Sequence, residues 1–457
     1  MTRLLKQAKA WLGPLWWYSI ILFVVQRVSD LINIFTGFWL VPKYVPSDEL
    51  GAVLPLSQIG GVLGLPLAVI LIPFGKFLNV FAARGELGKI KRLLYDVFLL
   101  AGIVAVLTAV CAHYLMPAVF LRLRVGSGYL TWLILCAGLS ATVAPLFVQA
   151  LQGLKLFSSV AVINAAVAPI RLVVLLVTLP VQGIAGYFSG QLASEGFKIG
   201  YAFFSLRKNL GRAVVAVRYW QNWREIVLFT IPVAVLVVSG SLQGASEVFV
   251  IRHRLPDVES AAYYFISRFA EIPPALWGAV SVVFLPLVSE RHETGQTVRP
   301  LYRQVMTLIL GVGGSIAVVV HLLSPWIFAL IPSGNIYQPY THLVGVVCGT
   351  SLLRAAIACY VTYELACRRF RFVFFASFLY VLQACLLYSI GGINFFRGVL
   401  PDALIQWILD RDFMRIGVIT WYIFSFALVV ALPAFLPSRS GESTKTIPDK
   451  GTGRQSK

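Results

Sequence analysis

Nine charged residues lie within long apolar runs of the sequence, where a charge needs a specific reason. They are Arg27, Asp30, Arg171, Glu195, Lys198, Glu247, Arg268, Glu271 and Arg354. A charge at the centre of a bilayer costs ~2.5–3.5 kcal/mol on insertion scales, so such groups face a cavity or one another. These residues are therefore the candidates for substrate binding, coupling or ion pairing.

Six of these charges form three pairs of opposite sign, each at a spacing of three residues. The pairs are Arg27/Asp30, Glu195/Lys198 and Arg268/Glu271. On an α-helix this spacing places both groups on one face. Each pair can be a self-neutralised structural contact, or its carboxylate can be a coupling group. Glu247 is the fourth candidate carboxylate.

Arg171 and Arg354 differ from the pairs because neither has a carboxylate three or four residues away. An anion must therefore come from another helix or from a substrate. Arginine suits a phosphate, since its planar fork donates two hydrogen bonds at once. We expect Arg171, with Arg354 and Arg27, to line a central cavity and bind substrate phosphates. Arg268 and Lys198 are further candidates for this cationic cavity.

No motif for catalysis or metal binding accompanies these charges. The sequence lacks a G-x-x-x-x-G-K-[ST] loop for ATP, and its five histidines have no metal-ligand spacing. None of the six cysteines forms a C-x-x-C pair, which argues against a zinc or redox site. We therefore expect no catalytic residue, no metal and no cofactor.

The elements that must position the charges are membrane-spanning helices. Of the 457 residues, 58% are hydrophobic and 12% are charged, about half the ~25% usual in soluble domains. This composition excludes a soluble enzyme, a disordered chain and a disulfide-stapled secreted module. Spans need ~20 apolar residues, and twelve such runs occur: Leu15–Val41, Gly51–Phe74, Val97–Phe120, Tyr129–Leu151, Phe157–Val181, Ile184–Leu206, Ile226–Ile251, Ala261–Val288, Val305–Ile331, Leu343–Val361, Phe372–Ile390 and Ile416–Leu436.

The basic residues predict the orientation of these spans. With the N-terminus in the cytoplasm, cytoplasmic segments hold 25 Lys and Arg and outer segments hold 8. This bias predicts that both termini are cytoplasmic in a multi-pass protein of the inner (cytoplasmic) membrane. It also accounts for the net charge of +19 without a nucleic-acid partner. The predicted segments are an N-tail (1–14), a six-helix bundle (15–206), a linker (207–225), a second bundle (226–436) and a disordered tail (437–457).

The two halves also resemble each other weakly. Near an offset of 210 residues, Pro46 aligns with Pro256, Glu49 with Glu259 and Ala52 with Ala262. Six helices per unit is an even number, so both units would share one orientation. Such parallel repeats occur in transporters that bind substrate at the repeat interface.

Four short motifs resemble a known family of transporters. They are Leu40–Pro46 followed by Glu49–Gly51, Ala83–Gly88 after the second span, Leu151–Phe157 between spans four and five, and Leu285–Val288 with Glu290 and Arg291. In order and spacing they resemble polysaccharide and lipid-linked oligosaccharide flippases of the multidrug/oligosaccharidyl-lipid/polysaccharide (MOP) exporter superfamily. The resemblance covers about residues 10 to 436.

This resemblance implies an all-α membrane protein with two six-helix bundles forming a V around a central cavity. It implies a flippase that moves an undecaprenyl-pyrophosphate-linked oligosaccharide by alternating access, with membrane lipids, a polysaccharide polymerase and glycosyltransferases as partners. Two sister branches remain alternatives, namely cation-coupled multidrug antiporters and peptidoglycan lipid-precursor flippases. The latter usually have fourteen helices. A membrane-embedded transferase or ligase is disfavoured, because the longest outer segment has only about 25 residues.

Overall fold

The computed structural model describes residues 24–391, except 84, 124–127, 155, 212–222, 333, 368 and most of 275–295, together with 422–427 and 429. The predicted N-tail, most of the last span and the C-terminal tail lie outside the described residues. Every regular element in the described part is a helix.

We number thirteen α-helices of the described residues 24–391 in chain order; residues 422–427 are also helical. Helix α1 covers 24–44, including a π-helical turn at Thr36–Leu40. The others in the first half are α2 (Ser47–Leu50), α3 (Val53–Leu63), α4 (Leu65–Ala83), α5 (Leu87–Leu123), α6 (Gly128–Gly153), α7 (Phe157–Gln182) and α8 (Ile184–Leu210). In the second half they are α9 (Trp223–Arg254), α10 (Asp257–Ala270), α11 (Arg299–Leu330), α12 (His342–Ala366) and α13 (Arg371–Gly391), and a 3-10 helix (Gly334–Tyr340) joins α11 to α12.

Six of the helices in the described part are long and apolar enough to cross a membrane. A seventh span results if α3 and α4 are one bent crossing. Length and composition thus support a multi-pass membrane protein, as predicted. Helix α8 is long but carries charges, and most of the last predicted span falls outside the described residues.

The second predicted span is not one straight helix. The structure divides Gly51–Phe74 into α3 and α4, and the helix axis turns by 62° at this break. Gly64 marks the break and Pro66 follows it, and proline has no backbone N–H to continue the hydrogen-bond ladder. Helix α4 then runs to Ala83, nine residues beyond the predicted end.

The eighth predicted span also differs from expectation. Its helix begins four residues earlier than predicted, at Asp257, and ends at Ala270. Pro273 and Pro274 follow closely, and two consecutive prolines interrupt a helix because neither donates a backbone hydrogen bond. The charged pair Arg268/Glu271 therefore lies at a helix end rather than within a continuous span.

Two bundles result, one from each half of the chain. In the first, α6 packs against α3, α4 and α8, and α8 also packs along α7. In the second, α9 packs along α13, and α12 packs against α10 and α11. The all-α, two-bundle fold class predicted from the sequence is thus confirmed.

The two bundles meet along α9, which packs against α3 and α4, and at the ends predicted to face outward. One core cluster there combines residues of both halves, such as Phe38 and Val41 with Phe265 and Phe269. At the opposite ends, the described residues of each half form a separate cluster of their own. The protein is therefore closed at its predicted outer end.

Candidate functional site

The structure brings together the two members of each of the three i,i+3 pairs. The Arg27 and Asp30 side chains approach to 3.0 Å, and Lys198 Nζ lies 2.7 Å from Glu195 Oε1. Arg268 Nη1 lies 2.7 Å from Glu271 Oε1. The first two pairs each bridge one turn of a helix, as the spacing predicts, and Arg268/Glu271 spans the C-terminal end of α10.

Arg171 stands beside an aromatic residue that sequence reasoning missed, Tyr187. Helix α7 turns into α8 at Gly183, whose φ of +53° is a conformation that favours glycine. Gly190 lets the two helices approach closely, since a Cβ there would lie 2.6 Å from Leu175 Cδ2. The tight hairpin places the Arg171 guanidinium 5.1 Å from the centre of the Tyr187 ring, a cation–π contact.

Arg268 reaches the same tyrosine from the other half of the protein. Its Nη2 donates a hydrogen bond of 3.2 Å to the Tyr187 hydroxyl. Its guanidinium also lies 5.1 Å from the Tyr264 ring, and the Tyr264 hydroxyl donates to the Gly37 carbonyl at 3.2 Å. These contacts join α10 of the second half to α1 and α8 of the first. We call Arg171, Tyr187, Tyr264 and Arg268 the arginine–tyrosine site.

The charge balance of this site is positive. Its two guanidiniums converge on one phenol, while the nearest paired carboxylate, Glu271, is 62% exposed and therefore screened by solvent. Among the described residues, no carboxylate lies within 4.0 Å of Arg171. The Nε atoms of Arg171 and Arg268 are both buried without a hydrogen-bond partner in the described part. The site therefore retains donors and charge for an anion.

Arg354 lies in a different polar network, inside the second bundle. Its Nη2 donates to Gln243 Oε1 at 3.2 Å, and Gln243 Nε2 donates in turn to Gln383 Oε1 at 2.5 Å. This network links α12, α9 and α13. The anion partner expected for Arg354 is thus replaced, at least in part, by an amide oxygen.

Glu247 belongs to the same side of the second bundle. It is buried, and the Tyr263 hydroxyl donates a hydrogen bond to its Oε1. Arg354 is close enough to Glu247 for an electrostatic interaction. Because it follows Gln243 by one helical turn, Glu247 extends the polar stripe of α9 towards the outer end.

The remaining candidates lie in the first bundle, where Arg27 and Asp30 are on α1 and Glu195 and Lys198 are on α8. Gln26 Nε2 also donates to Asp30 Oδ1 at 3.0 Å. The side chains of all four charged residues are between 12% and 33% exposed, so they are neither fully buried nor fully solvated.

A cavity without charged walls lies in the first bundle, and none of the four residues of the arginine–tyrosine site lines it. Its volume is about 260 Å³, below the ~300–1,000 Å³ of pockets for drug-sized ligands. Phe188, the neighbour of Tyr187, forms part of its wall. Polar groups come from Ser57, Thr142 and Gln191, and Gly61 has open space where a Cβ would be.

No group of three or more potential metal ligands occurs among the described residues. Cys348, Cys359 and Cys367 are buried, and Cys111, Cys136 and Cys385 are exposed.

Comparison with solved structures identifies the fold. A MATE transporter in the straight conformation aligns with a TM-score of 0.62 and 13% identity, covering 91% of this chain and 95% of that chain. The Vibrio cholerae MATE transporter VcmN in the bent form aligns with a TM-score of 0.57 and 13% identity, covering 92% and 94%. An inward-facing multidrug resistance MATE family transporter of the MOP superfamily gives 0.57 and 11%, covering 92% and 100%.

Comparisons with protein-family models and with curated proteins found no similar sequence. Identities of 11–13% establish a shared fold, here that of MATE transporters, and not a shared substrate.

Proposed function

We propose that this protein is an alternating-access exporter of the MOP type whose substrate is a lipid-linked glycan carrying phosphate. The observation that carries the proposal is the arginine–tyrosine site, where Arg171 and Arg268 approach one phenol from opposite halves. The expected substrate is an oligosaccharide on an undecaprenyl-pyrophosphate type of carrier.

The chemistry of the site favours an anion. Two guanidiniums near one another repel, and an anion between them removes that repulsion while accepting charge-assisted hydrogen bonds. A pyrophosphate offers several oxygens at the spacing of an arginine fork. The buried Nε atoms of both arginines supply donors for these oxygens.

The location of the site connects binding to movement. A ligand shifts a conformational equilibrium only through different contacts in the two states. An anion that touches both Arg171 and Arg268 makes such contacts, because these residues belong to different bundles. Arg27, Lys198 and Arg354 are further cations for the head group, and Asp30, Glu195, Glu271 and Glu247 are candidates for pairing or coupling.

The uncharged cavity of the first bundle supports a glycan rather than a bare phosphate as the head group. Its hydroxyl and amide groups can hydrogen-bond to a sugar, and its volume of about 260 Å³ suits one small sugar unit. A flippase for such a lipid would act in the cytoplasmic membrane in cell-surface polysaccharide synthesis. Glycosyltransferases would supply its substrate, and a polymerase would use its product.

The same fold also accommodates a second function, the export of cationic drugs by antiport. Buried Glu247, with Tyr263, is the observation that favours it, since antiporters use membrane-embedded carboxylates for coupling. The positive arginine–tyrosine site favours the anionic lipid instead. A peptidoglycan lipid-precursor flippase would also carry a pyrophosphate-linked sugar and stays an alternative for the identity of the glycan.

A transport assay distinguishes these functions. Purified protein in liposomes would be offered a fluorescent polyprenyl-pyrophosphate-linked sugar, the corresponding polyprenol, or a cationic dye. We expect movement of the pyrophosphate-linked sugar and little movement of the other two. Transport of the dye under an imposed proton or sodium gradient, with none of the lipid, would establish the antiporter instead.

A further inference from the structure

Two short linkers close the predicted outer end of the protein, one from each half. The bend after α1 leads through Pro46 (φ −58°, ψ 153°) into α2, and the bend after α9 leads through Pro256 (φ −55°, ψ 159°) into α10. The preceding residues, Val45 and Leu255, are both buried. The two linkers therefore follow the same backbone path, as the repeat predicts.

An arginine side chain joins these linkers. Arg252, near the end of α9, follows the predicted seventh span and is one of the eight Lys and Arg counted in outer segments, yet it is 3% exposed. Its Nη2 donates to the Asp48 carbonyl at 2.8 Å, across the boundary between the halves. Its Nη1 donates to Asp257 Oδ1 at 2.7 Å, within its own half.

The contact between the two linkers around Arg252 is tightly packed. A Cβ on Gly51 would lie 2.6 Å from Ser260 Cβ and 3.1 Å from Arg252 Nη1, so only glycine fits there. Further into the membrane, Phe38 of the first half packs on Phe269 of the second with ring centres 4.6 Å apart. The hydrogen bonds of Arg252 and this aromatic contact close the same end of the protein.

The internal repeat does not duplicate this contact. At the offset of 210 residues, the counterpart of Arg252 is Pro42, which has no side-chain donor. One residue therefore makes the cross-half hydrogen bond that the symmetric arrangement would make twice.

We propose that Arg252 is a latch that holds the outer ends of the two halves together and sets the balance between closed and open outer states. Asp257 moves with Arg252 and keeps its guanidinium oriented in both states. The bond to Asp48 exists only when the halves meet, so it is one of the contacts that differ between the states, together with the hydrogen bonds Arg268–Tyr187 and Tyr264–Gly37. This inference rests on the proposed alternating access and is independent of the substrate.

The test measures how fast a thiol between the two linkers is labelled, in an otherwise cysteine-free protein that carries Ser260→Cys. Ser260 is 2% exposed, so a membrane-impermeant maleimide should label the introduced thiol only when the outer end opens. Applied to each face of the membrane in turn, the reagent should label this thiol from outside. Arg252→Gln should raise the labelling rate roughly 10-fold or more, because one charge-assisted hydrogen bond stabilises the closed state.

Two variants serve as controls on the same helix end. His253→Gln changes the exposed neighbour of Arg252 and should leave the rate unchanged. Arg252→Lys should be intermediate, since an ammonium cannot hold both partners with a fixed fork. Labelling is measured without substrate. A parent protein that does not transport the glycan would therefore contradict the proposed function, but the labelling result for Arg252 would still stand.

Unchanged labelling in Arg252→Gln, with normal protein level, would overturn the latch. If Arg252→Gln is not recovered in the membrane, Asp257→Asn takes its place. The asparagine at position 257 has no charge with which to orient the Arg252 guanidinium, so we expect a labelling rate several-fold above that of the parent. A rate equal to the parent in that variant would likewise overturn the proposal.

Discussion

Replacing Arg171 separates a binding role from a structural one. Among the described residues its guanidinium contacts the Tyr187 ring, and a cation–π contact contributes ~0.5–2 kcal/mol. Its Nε atom is buried without a partner, so removal relieves an unsatisfied donor at the same time. Arg171→Ala should therefore lower stability only modestly, and the protein should still insert.

Transport should suffer far more than stability. A hydrogen bond to a charged partner contributes ~1.5–3 kcal/mol, which corresponds to a loss of roughly 10- to 150-fold in kcat/KM. Arg171→Lys retains the charge without the fork and should lie between the parent and Arg171→Ala. The assay is the rate of movement of a polyprenyl-pyrophosphate-linked sugar in liposomes at low substrate concentration, with thermal unfolding measured in parallel.

The matched control is Arg92→Ala. Arg92 pairs with Asp96 near the start of α5, and its side chain is 45% exposed, so its loss should change neither transport nor stability much. Transport by Arg171→Ala at the parent rate would show that Arg171 does not bind the substrate. A large drop in unfolding temperature that is restored by removing a carboxylate elsewhere would show a structural pair instead.

Four further predictions concern other parts of the molecule. Glu271→Gln removes the solvent-exposed carboxylate that competes for Arg268, so affinity for a polyprenyl pyrophosphate should rise about 2- to 5-fold in equilibrium binding; weaker binding would contradict this. Gln243→Leu should lower the unfolding temperature by several degrees, since Gln383 and Arg354 lose a partner, whereas exposed Gln338→Leu should not. Single cysteines at exposed Asn335 should react from outside, and those at exposed Asn209 and Gln296 only from the cytoplasm; outside labelling at Gln296 would invert the topology. Deletion of Ser440–Lys457 should leave export intact, since this segment lacks apolar residues to order it, and complete loss at normal protein level would oppose that expectation.

Periodicity and composition predicted most of the fold because each span is a local feature. The runs Phe157–Val181 and Tyr129–Leu151 match α7 and α6 within two residues at each end. The errors occur where backbone chemistry interrupts an apolar run. Gly64 with Pro66, and Pro273 with Pro274, end helices inside segments whose hydrophobicity alone suggests continuity.

The charged pairs were predictable for a similar reason. Arg27/Asp30 and Glu195/Lys198 lie one turn apart on one helix, so their spacing determines the contact. Partners on other helices could not be found this way. Neither Tyr187 beside Arg171 nor Gln243 beside Arg354 carries any signal in the sequence, because each contact depends on how the helices pack.

Arg252 shows the same limit from another direction. Because it directly follows the predicted span Ile226–Ile251, the sequence predicts only that Arg252 is a charged residue of an outer loop. The structure buries it against Asp48, which is distant in the sequence. The internal repeat aligns both linkers correctly, yet the cross-half contact lies at a position where the repeat units differ.

Measuring the equilibrium binding of two lipids to the purified protein tests directly whether Arg171 and Arg268 form an anion site. One lipid is a polyprenyl pyrophosphate and the other is the polyprenol of the same length, each compared between the parent and the double variant Arg171→Ala/Arg268→Ala. We expect the parent to prefer the pyrophosphate and the double variant to lose this preference by roughly 100-fold or more. Equal preference in the parent and the double variant would contradict the claim that these two arginines form an anion site.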